Sequence, residues 1–433
     1  MPNPRIFLSA GEASGDAYGA AIITALRQQQ SAAHFFGLGG IQMEAAGQQR
    51  IVRAEDVAHM GITEVIRHAP FIYRQYRKLV AGIKAERPDV AVLIDFPDVN
   101  FRLAKNLHRL GVPVVWFVSP QLWAWKRSRL RWVQERVSRM LVIFPFEETF
   151  YRNRGVDATF VGHPLAAAAA PPALSRVDYA ACYGLDPERT WIALLPGSRW
   201  KEIRSNLPAL HELAISDLFS ASAAYTTFDG GNTTAPRDPT AYTRYEFLLP
   251  VASTIQPQAL RDYISTLDAE HLRYFGATEH DPNLPRPRLT LVPDAREALH
   301  HARASVVASG TATVLAAIVG NPFVVVYRVS ALTFALAKKL VEYPPELPAP
   351  HDSDGNAPVG MVNLIAGKRI VPELLQSRFT AANVANALGP LLTDSPERAA
   401  QMDALEQVRT KLRSDGSPIA HVVETVLSLM RPA

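Results

Sequence analysis

The sequence predicts an α/β protein of two Rossmann-like, doubly wound domains with parallel sheets. Three observations carry this. Short β-rich apolar runs alternate with helical stretches, the alternation breaks at "AAAAAPP" (166–172), and it then restarts. At 433 residues the chain also exceeds what one hydrophobic core usually serves. In the first half, strands are expected at Arg5–Ser9, His34–Phe36, Val90–Ile94, Val112–Val118, Arg139–Phe144 and Ala158–Val161. Helices such as Tyr18–Gln30 and Ile72–Glu86 lie between them. After the break, strands are expected at Trp191–Leu195, Phe247–Val251, Leu289–Val292, Ala304–Ala308 and Phe323–Tyr327. The expected domains are therefore 1–165 and 166–433, with the last helix free to cross back to the first domain. Ligands of such sheets bind beyond the carboxyl ends of the strands, so a cleft faced by both domains is the expected site.

Composition narrows the function classes. With 48% hydrophobic and 20% charged residues the chain is globular rather than disordered. A net charge of +4 suits an anionic substrate or membrane surface and is too weak to argue for nucleic acid. The single cysteine, Cys182, cannot form an internal disulfide and is expected to be a buried, inert thiol. No apolar run reaches the roughly 18 residues of a spanning helix, and the start lacks a signal-peptide pattern. A cytoplasmic protein that touches a membrane without crossing it is expected. His300 and His301 are adjacent and point apart, and no Cys/His cluster occurs, so no metal site is expected.

Four strand-to-helix loops could carry chemistry. "SAGEASGD" (9–16) has glycines for close backbone approach, but Glu12 and Asp16 would repel phosphate. Those carboxylates suit sugar hydroxyls, or they complement a helix start. "PGSR" (196–199) and "ASGT" (308–311), without acidic residues, read as phosphate cradles or as turns whose Gly-Ser is steric: a helix start offers N–H groups, and Arg199 offers a two-pronged charge. Neither matches the P-loop or the dinucleotide fingerprint. In "IDFPDVN" (94–100), Asp95 ends a strand, where catalytic residues of parallel sheets sit, whereas Asp98 is read as the N-cap of the following helix.

Two aromatic and basic stretches stand apart. "VSPQLWAWKRSRLRWV" (118–133) fits nucleic acid, sugar rings or lipid head groups. Met60–Lys84 reads as an amphipathic helix packed on its own core, with a basic face that also suits an anionic membrane. His163 is either functional or structural. Two polar, Gly/Pro-rich inserts, Thr226–Tyr242 and Glu342–Pro358, read as lids or disordered insertions.

In order along the chain, "SAGEASGDAYGA", "FGLGGIQMEAAG", "MGITEVI", "IDFPDVNFRLAKNL", "VSPQLWAWKRSR", "FPFEETFY", "FVGHPL", "LLPGSR", "ASGTAT", "LTFALAKKLV" and "MVNLIAGKRIVPELLQ" resemble the lipid-A-disaccharide synthase family. The resemblance spans about residues 6–376 and thins between 205 and 290. It implies a GT-B fold of two Rossmann-like domains, the first binding acceptor and the second UDP-sugar. It also implies an inverting transfer from UDP-2,3-diacylglucosamine to 2,3-diacylglucosamine 1-phosphate, releasing UDP, by a peripheral inner-membrane enzyme that needs no metal or cofactor. Homo-oligomers are compatible with it. Carried onto this chain, Asp95 and Arg199 become catalytic. Glu12, Ser14, Gly15, Asp98, Asn100, Ser119, Trp123, Gly197, Ser198, Ser309, Gly310, Thr311 and Asn363 become substrate-binding. The chain departs from the family at Leu315, where a glutamate usually holds the ribose hydroxyls. A weakened relative that binds UDP-sugar or lipid without efficient transfer is the alternative, and a GT-B epimerase acting on a UDP-sugar is a third reading.

Overall fold

The computed structural model describes residues 3–56, 69–215, 244–275 and 288–430. It divides into two compact units, Met1–Pro164 with Val341–Glu346 and Lys411–Ala433, and Leu165–Leu340 with Leu347–Thr410.

The first unit holds seven parallel strands: β1 (Arg5–Ala10), β2 (His34–Gly39), β3 (Gln49–Arg53), β4 (Val90–Ile94), β5 (Val114–Phe117), β6 (Arg139–Val142) and β7 (Ala158–Phe160). Their order is β3-β2-β1-β4-β5-β6-β7, so the winding reverses between β1 and β4. Helices cover both faces, which is why β4 and β5 read as continuous apolar runs, VAVLI and VVWF. Ala10 pairs with Ile94, so the loops leaving β1 and β4 start side by side. The helix Ala69–Glu86 buries Leu79 and Ile83 toward β2 and β3. The helix Pro418–Leu429 packs on Ala13–Gln29, β4 and β5.

The second unit repeats the plan with β8 (Thr190–Leu195), β9 (Tyr245–Pro250), β10 (Arg288–Val292), β11 (Ala304–Ala308), β12 (Phe323–Tyr327) and β13 (Glu373–Leu375). The order β10-β9-β8-β11-β12-β13 reverses between β8 and β11. Leu195 pairs with Val307, which again sets two loops side by side. Its core gathers Leu194, Phe247, Val306 and Val324 beneath the helices Trp200–Ile215 and Ala381–Leu392.

Several expectations are corrected. The edge strands β3 and β13 are absent from the sequence reading, because one carries charges along QRIVR and the other is three residues long. The alanine-proline break is no free linker: Pro164–Ala169 forms 3-10 turns, and Arg296 donates to the carbonyls of Ala168, Ala170 and Pro171. Cys182 is exposed rather than buried. The insert 226–242 lies outside the described residues. The second insert is pinned at its start, where Glu342 N–H donates to Ala124 O at 3.1 Å and Arg154 bonds Glu346 at 2.8 Å. The Arg154 hydrogen bond leads in holding the Glu346 carboxyl down at about 2.

Candidate active site

All four loops singled out in the sequence leave strands at the two reversal points. In the first unit, Asp95 and Phe96 follow β4 with φ of 44° and 48°, a left-handed conformation that ordinary side chains avoid. Such strain persists only where the surroundings over-determine it. Here Asn100, fully buried, donates from Nδ2 to the carbonyls of Asp95 (2.7 Å) and Ile94 (3.2 Å), and its Oδ1 accepts from Ser9 Oγ at 2.7 Å. Gly11 completes the arrangement. A Cβ there would lie 2.4 Å from the Phe96 ring, so only glycine lets the ring close over the loop. Asn100 thus braces this loop from within. Asn100→Ala is expected to cost about 1–3 kcal/mol in urea unfolding, since it leaves buried groups unpaired.

Around this loop, Tyr18 has its pKa raised by burial and, second, by the negative charge of Asp95, which places the two within electrostatic reach. Glu12 and Ser14 are exposed at the start of the helix Ala13–Gln29, with Gly15 buried behind them. Asp16 is committed to structure: its carboxylate accepts from the N–H groups of Gly40, Gln42 and Met43 at 2.8–3.1 Å and caps the next helix. Asp98 is not the N-cap. The helix is Pro97–Arg109, Phe96 is its N-cap, and Asp98 sits in the first turn paired with Arg129 at 2.9 Å.

The adjacent loop after β5 is strained as well, with Val118 at φ 64°. Ser119 and Trp123 turn inward. Ser119 Oγ (2.7 Å) and Trp123 Nε1 (2.9 Å) both donate to Glu147 Oε1, while Phe144 N–H donates to Oε2 at 3.2 Å. Trp123 is 2% exposed and anchors the loop through its bond to Glu147. Sequence reading missed Glu147; its one signal is the spacing of a glutamate three residues into a helix, which lets it reach back to the N-cap.

Burial lifts Glu147 from 4.5 to about 7 against the four hydrogen bonds that favour its ionised form. The folded state therefore keeps this proton where the unfolded chain has lost it. The stability it lends is full below about pH 4.5 and is lost as pH rises through about 7. Comparing urea unfolding of wild type and Glu147→Gln at pH 5 and pH 8 should reveal a difference on the order of 3 kcal/mol in that pH response. His163, also buried, is held down at about 4 by desolvation and is neutral at pH 7.

In the second unit, Gly197 (φ 126°) turns the chain after β8. The helix-start N–H groups that suggested a phosphate cradle already have an anion. Ser198 N–H (2.9 Å) and Arg199 N–H (3.3 Å) donate to Glu202 Oε2, the reach-back half of a capping box. That corrects the expectation of unpaired donors and leaves the Arg199 guanidinium, 68% exposed and 4.0 Å from Glu202 Oε1, as the loop's outward charge.

The loop after β11 is more open. Gly310 (φ 151°) has nothing within 4 Å of where a Cβ would stand, and Thr311 is exposed. Ser309 Oγ donates to Val359 O at 2.8 Å. The N–H groups of Val359 and Gly360 are held in turn by Glu373, whose Oε1 also accepts from Asn363 Nδ2 at 2.8 Å. Asn363 is fully buried, and its Oδ1 accepts from the N–H groups of Ile370 and Val371. It braces this loop. Leu315 lies one turn beyond Thr311, half-buried, and offers no acceptor for a hydroxyl.

Similar architectures occur in solved glycosyltransferases. The glycosyltransferase of kitacinnamycin matches with a TM-score of 0.59 at 13% identity, covering 99% of this chain and 100% of that one. A calicheamicin glycosyltransferase matches at 0.54 and 14%, covering 99% and 98%. Two doubly wound parallel-sheet domains, with loops meeting at each sheet's reversal point, make the GT-B fold.

Sequence relatives are more specific. The family described as lipid-A-disaccharide synthetase matches residues 6–226 and 264–424. The lipid-A-disaccharide synthases of Acidobacterium capsulatum and Koribacter versatilis are 50% and 43% identical over 99% and 98% of this chain, and 97% and 98% of their own. The chain belongs to the lipid-A-disaccharide synthase family, hexosyltransferases of lipid A biosynthesis.

Proposed function

We propose that the first domain holds 2,3-diacylglucosamine 1-phosphate and the second holds UDP-2,3-diacylglucosamine, with Asp95 as general base and Arg199 steadying the leaving diphosphate. The observation that carries this is the split of chemistry between the two reversal points, a strand-end carboxylate in one domain and, in the other, a loop whose outward charge is the Arg199 guanidinium. The acceptor's 6-hydroxyl oxygen bonds to the anomeric carbon as the bond to the diphosphate breaks, the electron pair leaving with UDP. The hydroxyl proton passes to Asp95. Attack from the face opposite the diphosphate inverts the anomeric centre. Nuclear magnetic resonance of the product should show a β-1,6 linkage, and an α linkage would overturn the inverting step.

Leu315 favours a second reading, a relative that binds UDP-sugar without efficient transfer. A family glutamate at that position would accept the ribose hydroxyls, and a leucine does not.

Acylated substrates call for membrane contact. No helix among the described residues is long and apolar enough to cross a membrane. The stretch Met60–Lys84 is described only from residue 69, where Phe71 and Tyr73 are exposed beside Arg74, Arg77 and Lys78 on the helix Ala69–Glu86. Sedimentation with anionic vesicles should occur at low salt and weaken at high salt. Unchanged binding after Arg74, Arg77 and Lys78 are replaced by Glu would remove this helix from the contact.

A further inference from the structure

The helix Ala331–Leu340 (ALTFALAKKL) has no buried residue, although most of its ten residues are apolar. Leu332, Leu336 and Leu340 are 72%, 50% and 62% exposed. Spaced four apart, they form one stripe along the helix. Local chemistry starts the helix, with Thr333 N–H donating to Ser330 Oγ at 3.2 Å. Phe334 and Ala337 are half-buried, but the three leucines are not, so the stripe stands in water unless something covers it.

Charge indicates what covers it. The helix contains no acidic residue and ends in two lysines. Lys338 Nζ reaches Asp354 O (3.1 Å) and Asn356 Oδ1 (3.2 Å), and the Asp354 carboxylate is itself paired with Arg378 at 3.0 Å. Lys339 stays exposed beside the leucines. We propose that this helix of the second domain lies in the surface of an anionic bilayer, its leucines below the head groups and Lys339 among them. This placement rests on the reading above that the substrates are acylated lipids. At about 1.5 Å per residue the helix is about half of a bilayer core, so it lies along the surface rather than through it. A second copy of the chain is a poorer occupant, because one ten-residue stripe falls well short of the roughly 1,000 Å² of a stable interface.

The test is co-sedimentation with vesicles of phosphatidylglycerol and phosphatidylcholine at low and high salt. It compares wild type with a Leu332→Ser, Leu336→Ser, Leu340→Ser variant. Salt screens the lysines but not the leucines. The variant should bind at least tenfold less at both salt concentrations, with turnover on detergent-dispersed substrate retained. Wild-type binding by the variant would overturn the helix placement while leaving the membrane reading intact. Failure of wild type to sediment at low salt would overturn both. Loss of a dimer by light scattering with vesicle binding retained would show a self-contact, and would equally overturn the proposal.

Discussion

Asp95→Asn should lower turnover by roughly two to four orders of magnitude while UDP binds as before, the usual scale of losing a general base. Asparagine is the informative substitution, because it tolerates the left-handed backbone that Asp95 adopts at φ 44°. The Asn100 bonds to the carbonyls of Ile94 and Asp95 would remain, so the loop keeps its shape and only the base is removed. Asp95→Ala would mix that loss with backbone strain. Asp98→Asn is the control. Asp98 is exposed and paired only at the surface with Arg129, a pair worth roughly 0.2–1 kcal/mol, so turnover should be nearly unchanged. Steady-state rates with calorimetric UDP binding decide the matter. Near-normal turnover in Asp95→Asn and a large loss in Asp98→Asn would exchange the two assignments.

Arg199→Ala should cost about a hundredfold or more in turnover, on the scale of losing one preorganised donor to developing charge. Glu202 holds the backbone N–H groups of this loop, so the guanidinium carries more of the burden than a bare helix start would require. Arg199→Lys should recover only part of the loss, since a point charge lacks the fork that engages two phosphate oxygens. A variant that loses binding of donor but not turnover at saturation would place Arg199 in ground-state binding instead.

Much of this was legible in the sequence. Strands buried on both faces announce themselves as VAVLI, ASVVA or FVVVY, and their alternation with helices implies parallel sheets. Small-residue turns after those strands marked the loops that the sheet order then set at its two reversal points. The sequence could not show which polar residue faces inward. Asn100, Asn363 and Trp123 stand in motifs whose internal hydrogen bonds, to Asp95, Glu373 and Glu147, no spacing announces. Glu147, Glu202 and Glu373 do not stand out in the sequence, yet they hold those loops from beneath or behind. Such roles depend on contacts formed only after the chain folds. The short or charged edge strands were lost for a related reason, since pairing rather than composition makes them strands.

The most direct test of the central claim is UDP release from UDP-2,3-diacylglucosamine by the wild-type protein, with and without 2,3-diacylglucosamine 1-phosphate. The account predicts release that depends on the acceptor, in step with disaccharide 1-phosphate formed. UDP released equally without acceptor, or donor bound with no release even when acceptor is present, would contradict it.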